Sequence, residues 1–152
     1  MKKVAVLMGS ETDRPIMEAA LPYLEKFSIP YEVSIMSAHR NPADVEKFAT
    51  AARDQGFGVI IAGAGMAAHL AGAVKAHSSL PVIGVPLPGG LSDGLDALLS
   101  TVQMPKGVPV ATMSVGKAGA INAAVLAAEI LSLEEPELVT KLGAFKAAGA
   151  IL

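Results

Sequence analysis

The 152-residue chain carries 12 basic and 14 acidic side chains, a net charge of −2 that leaves no electrostatic footprint for nucleic acid, and its length fits one α/β domain spanning residues 1–152. The absence of cysteine excludes disulfides, thiolate nucleophiles and thiolate-bound metals, and fits a cytoplasmic protein. Hydrophobic residues reach 52% against 17% charged, more apolar surface than one small domain ordinarily hides, so a homo-oligomer is expected.

The first apolar run, residues 4–8, stops at Gly9 and meets acidic residues at once, as a buried first strand does and a secretory leader does not. A helical pattern follows over about residues 15–27, then a strand at 33–36 and a helix over 42–55. Asp13 ahead of Arg14-Pro15, and Asn41 ahead of Pro42, set a capping side chain before a proline in the first helical turn. Residues 55–74 carry no charge and reach the roughly 20 residues of a membrane span, but Gly56, Gly58, Gly63, Gly65, Gly72 and His69 interrupt them. They read instead as a strand over 59–62, a loop and a helix over 67–77, with no membrane segment. Strands over 82–85 and 108–113 alternate with helices over 95–102, 118–133 and 136–148. The repeated β-α order, with mostly continuous apolar strands, predicts a three-layer, doubly wound parallel sheet of the flavodoxin-like or Rossmann-like kind.

In such folds ligands bind beyond the carboxyl ends of the strands, where loops enter helices. In the first of these loops Gly9 gives backbone freedom, while Ser10 and Asp13 suit the phosphate and ribose hydroxyls of a phosphorylated sugar or serve simply as helix caps. The second loop places Ser37, His39 and Arg40 nearly side by side: a hydroxyl, a neutral-range acid-base group and a fork matched to phosphate. Its plain alternative is a packing histidine beside a solvated arginine. The third, Gly63-Ala64-Gly65-Met66-Ala67-Ala68, has the glycine spacing of a dinucleotide fingerprint, yet no acidic residue ends the next strand, so a nicotinamide site is not expected. His69 is either a second imidazole of the site or a core histidine, and His77 is a solvated residue or a cap at its helix end. His69 and His77 are eight apart without carboxylate neighbours, giving no metal site, and neither a Walker loop nor a serine nucleophile elbow occurs. Residues 86–90 with Asp93 and Asp96 form either a lid or a stiff surface loop.

Met8-Gly9-Ser10 with Asp13, Ser37-Ala38-His39-Arg40, Ala62-Gly63-Ala64-Gly65 with Ala67-Ala68-His69-Leu70, Gly84-Val85-Pro86 and Val102-Gln103-Met104-Pro105 occur in an order and spacing that resembles the PurE family. The likeness runs from about residue 3 to 133 and through Gly116-Lys117-Ala118-Gly119-Ala120. It implies an N5-carboxyaminoimidazole ribonucleotide mutase of purine biosynthesis, an isomerase without cofactor or metal, cytoplasmic and assembled as a homo-octamer. By position it implies that Asp13 meets the ribose, that Ser10 and Arg40 lie nearer the phosphate with Ser37 beside them, and that His39 shuttles the proton. Gly63, Ala64, Gly65 and the residues to Ala68 would line a cavity holding carbon dioxide, with His69 next to it. The run 67–70 resembles the mutase class rather than the carboxylase class that takes aminoimidazole ribonucleotide and carbon dioxide directly. A carboxylase and a non-catalytic nucleotide-binding module are the alternatives. The chain departs from the family pattern at Met66, where glycine is usual, at Ala71, where proline is, and at Asp93, where serine is commoner.

Overall fold

The computed structural model describes residues 1–152, arranged around one five-stranded parallel sheet. Its strands are β1 (Lys3–Met8), β2 (Tyr31–Ile35), β3 (Phe57–Gly65), β4 (Val82–Leu87) and β5 (Ala111–Thr112), in the spatial order β2-β1-β3-β4-β5. The helices are α1 (Arg14–Met17), α2 (Leu21–Lys26), α3 (Pro42–Ala51), α4 (Leu70–His77), α5 (Leu95–Val102), α6 (Lys117–Leu131) and α7 (Pro136–Ala147). This is the flavodoxin-like α/β arrangement expected from the β-α alternation.

Period-two alternation splits each central strand between two cores. Val4, Val6 and Met8 of β1 point to one face, where they meet Val59, Ile61, Val85 and the helices α1, α2, α6 and α7. Ala5 and Leu7 point to the other, against Ile60, Ala62 and Val82 and the residues Val45, Ala49 and Val74 of α3 and α4. On the first face Phe27 and Phe145 stack edge to face with centroids 5.3 Å apart, a geometry worth about 1 kcal/mol beyond burial. Ala120, Ala123, Ala124, Ala127 and Ala128 are all buried, so the alanine-rich side of α6 lies close on the sheet.

Several elements differ from their sequence-based outlines. The helix expected over 15–27 is broken into α1 and α2 with 3₁₀ turns at Glu11–Asp13 and Glu18–Ala20. Pro22 has no N–H to continue the α-ladder, and the chain tightens ahead of it. Asp13 and Asn41 make no side-chain cap; Ser10 caps the first turn by accepting from the Thr12 amide at 3.2 Å, and Asn41 Oδ1 reaches back to the Ser37 amide instead. α4 begins at Leu70 rather than 67, and the strand expected over 108–113 pairs only at Ala111–Thr112. β2 and β5 are the sheet edges, and neither is buried on both faces as a continuous apolar run implies. No helix is long and apolar enough to cross a membrane.

Candidate active site

From β1 the chain runs outward to β2 and then returns across to β3, so the strand order reverses between β1 and β3. Loops diverge at such a point and leave a crevice at the carboxyl ends. A cavity of about 490 Å³ opens there, within the size range of small-molecule sites. It gathers Ser10, Asp13, Ser37, His39, Arg40, Ala64, Gly65 and His69, which come from the three connections that leave β1, β2 and β3 and from the last residues of β3. Of the residues expected from sequence to line it, Gly63 and the buried Ala68 do not. Gly63 is buried inside β3, where a Cβ would run into the Met17 side chain, so its lack of a side chain lets α1 approach the sheet.

The second loop is organised by Ser37. Its hydroxyl oxygen accepts from the amides of His39 and Arg40 at 3.3 and 3.2 Å, while the Asn41 amide donates to the Ser37 carbonyl at 2.8 Å. That turn leaves His39 and Arg40 exposed at the cavity. Arg40 joins none of the six ion pairs of the chain, in contrast to Arg14, whose guanidinium forks onto Glu11 at 2.7 and 3.0 Å. An unpaired, exposed guanidinium is suited to an anionic ligand.

His39 and His69 meet across the cavity, with His39 Nε2 2.5 Å from His69 Nδ1 and ring planes 84° apart. One nitrogen must donate and the other accept, so one proton sits between the rings and one nitrogen of each ring remains for a ligand. His69 is thus a partner of His39 rather than a core histidine, and it is exposed. No three His, Asp or Glu side chains converge here or elsewhere in a way that could hold a metal.

The third loop is held by a residue that sequence reasoning missed. Ser100 of α5 accepts from the Ala68 amide at 2.9 Å, and its hydroxyl lies 3.3 Å from the Met66 carbonyl and 2.7 Å from that of Asp96. A serine within an apolar helix carries no local mark of this, since the contact spans 32 residues. Thr12, whose hydroxyl donates to Ser10 at 3.0 Å, joins the lining unannounced, as do, from the loop weighed as a lid or a surface loop, Pro88 and Gly89 beyond β4. Met66 has φ +51°, in the left-handed region that is uncommon for residues with a side chain. The Gly89 amide donates to the Asp93 carboxylate at 3.0 Å and ties the loop around Asp93 to the cavity rim.

Burial pushes the Asp13 carboxyl up from its ordinary value, opposed by a backbone hydrogen bond with Ser10. A carboxyl whose folded pKa is raised contributes stability that is complete below the unfolded pKa and is lost as pH rises through the folded one. Holding Asp13 ionised at pH 7 therefore costs the fold, and Asp13→Asn is expected to raise the melting temperature at pH 7, with the gain fading toward pH 3. Melting curves across that range check it; a lower melting temperature at pH 7 would contradict the sign.

These features define a flavodoxin-like α/β protein with a polar cavity of small-molecule size at its topological switch point. The profile of the AIR carboxylase family matches residues 3–150. The chain is 48% identical over 144 residues to the N5-carboxyaminoimidazole ribonucleotide mutase of Aliivibrio fischeri, covering 95% of this chain and 89% of that protein. It is 53% identical over 144 residues to the mutase of the same name from Mycobacterium tuberculosis, covering 95% and 82%. The crystal structure of Treponema denticola PurE superposes with a TM-score of 0.84 at 29% identity, covering 97% of this chain and 90% of that one. The chain belongs to the AIR carboxylase, or PurE, family.

Proposed function

We propose that this protein is an N5-carboxyaminoimidazole ribonucleotide mutase, an isomerase of purine biosynthesis that moves the carboxylate of its small ribonucleotide substrate from N5 to C4. The relatives' shared name supports the activity. The observation that carries the mechanism is the His39–His69 pair, set in a cavity with a free arginine on one loop and a glycine-rich turn on another.

Arg40 and Ser10 take the phosphate and Asp13 the ribose hydroxyls, while Ser37 fixes the turn that presents His39. As the N5–carboxylate bond breaks, its electron pair returns to nitrogen, which takes a proton from His39, and carbon dioxide is released within the cavity. C4 of the electron-rich aminoimidazole attacks that carbon dioxide, and the C4 proton passes back to His39. No proton is gained or lost overall. His69 keeps a hydrogen-bond partner for His39 in both of its protonation states. Holding the two fragments together replaces a bimolecular encounter with an intramolecular one, the main source of rate acceleration here.

Leu95, Leu99 and Val102 form an exposed apolar stripe along α5, and Leu91 nearby is 75% exposed. Stripes of this kind are covered by partners, which supports self-association; the homo-octamer is what the family resemblance implies, and light scattering measures it. The cytoplasm is the compartment that fits the cysteine-free composition.

The test is a spectrophotometric assay with freshly generated N5-carboxyaminoimidazole ribonucleotide, beside aminoimidazole ribonucleotide plus bicarbonate at the same pH. Formation of the C4-carboxylated product from the first substrate alone is expected. Turnover of the second alone would make this chain a carboxylase, and silence with both would leave a binding module.

A further inference from the structure

Met66 stands apart from every other residue of the cavity. Its backbone is held at φ +51°, a conformation glycine adopts freely and a side chain resists. Ser28, Ser92, Asp93 and Ala150 share that conformation, but none of them lines the cavity. The Ser100 hydroxyl lies 3.3 Å from the Met66 carbonyl and accepts from the Ala68 amide, so the loop that carries this strain is held against α5 on its C-terminal side. The core does not require the side chain: Met66 is 65% exposed and belongs to neither apolar cluster. A glycine would keep the backbone path and remove the strain, and would lack only the flexible thioether. Strain retained at a site implies a use for the group that causes it.

From this we infer that Met66 is the cover of the cavity, an apolar side chain at its lip that retains carbon dioxide between decarboxylation at N5 and attack by C4. The inference rests on the reaction proposed above. Carbon dioxide has no net charge to be held by; beside His69 the lining is Ala64, Gly65 and Ala67, which are small, and Leu70, which is buried in the core, so Met66 is the exposed apolar side chain there long enough to close over it. Methionine suits a cover, being apolar, unbranched and able to swing aside for the nucleotide. Met66 touches no reacting proton in this scheme; it acts on retention alone.

The test compares the unaltered protein with Met66→Gly and Met66→Leu in buffer containing ¹³C-bicarbonate, following product mass and free aminoimidazole ribonucleotide by chromatography. Carbamates lose carbon dioxide unaided, so the enzyme-free rate is subtracted. Met66→Gly is expected to raise the fraction of substrate diverted to free aminoimidazole ribonucleotide by about tenfold and to admit ¹³C into the product, because an uncovered intermediate is open to loss and exchange. Met66→Leu, which keeps an apolar cover, is expected to stay within about twofold of the unaltered protein. Equal diversion and labelling in Met66→Gly and the unaltered protein would overturn the cover. So would diversion by Met66→Leu as large as by Met66→Gly, or diversion that appears only with dissociation into smaller assemblies, which would make Met66 a subunit contact. Failure of the unaltered protein to form the C4-carboxylated product would overturn the reaction itself, a result separable from failure of the cover.

Discussion

Replacing His39 by Asn is expected to lower kcat by a factor of about 10²–10⁴, the usual contribution of a positioned acid-base group, while nucleotide affinity measured by calorimetry changes by less than about threefold. That range corresponds to about 3–5.5 kcal/mol of transition-state stabilisation. The separation of kcat from binding follows from where the groups sit. Arg40, Ser10 and Asp13 are carried by backbone that does not depend on the imidazole: Ser37 caps the turn through main-chain amides, and Ser10 is held by Thr12. The reaction needs a proton delivered to nitrogen and then removed from carbon, which a carboxamide cannot supply. His39→Gln provides a second arm, since its amide reaches further along the direction of Nε2 and can keep a hydrogen bond to His69. Both variants are expected to be comparably slow. Recovery of near-normal turnover in His39→Gln would show that His39 only positions His69, and would move the proton shuttle to the latter.

The site was legible in sequence to the extent that its residues cluster along the chain. Ser37, His39 and Arg40 are near-neighbours behind one strand, and Ser10 and Asp13 flank one helix start, so the rule that ligands sit at strand carboxyl ends sufficed to find them. What joins separate loops was not legible. The contact between His39 and His69 spans 30 residues and left His69 undecided between site and core until the two rings were placed together. Ser100 grips the loop before α4 from a separate helix by accepting from the Ala68 amide, and α4 starts only at Leu70. Gly63 was drawn into the site by its glycine spacing, although its smallness serves packing against Met17 on the other side of the strand. The fold followed the same division. The β-α order and the central strands came from apolar runs, whereas the shortness of β5 did not, although Pro109, which has no N–H for a ladder, stands just ahead of it.

Gly119→Ala is expected to destabilise the fold by about 3 kcal/mol, the upper part of the range for overpacking a close-packed contact. For a chain of this size that is a fall in melting temperature of about 6–12 °C, read by calorimetry. Gly119 lies in the first turn of α6, where a Cβ would overlap the Ser114 carbonyl oxygen and come within 2.9 Å of its carbon. The obstacle is backbone, which cannot swing aside as the Met17 side chain could for an added methyl at Gly63. Nor can α6 retreat cheaply, since Ala120, Ala123, Ala124 and Ala127 fit it to the sheet with no exposed surface to give up. The remaining way out is to push residues 114–116 away, but the Gly116 amide donates to the Pro86 carbonyl at 2.9 Å, at the end of β4. Movement there reaches Pro88 and Gly89 at the cavity, so the variant is expected to lose activity as well as stability. Gly143→Ala is the matched control: it is also helical, its Cβ would meet nothing within 4 Å, and alanine is the better helix former, so its melting temperature is expected to rise or hold. A Gly119→Ala protein as stable as that control would mean that α6 is free to shift on the sheet, contrary to the fit of its alanines.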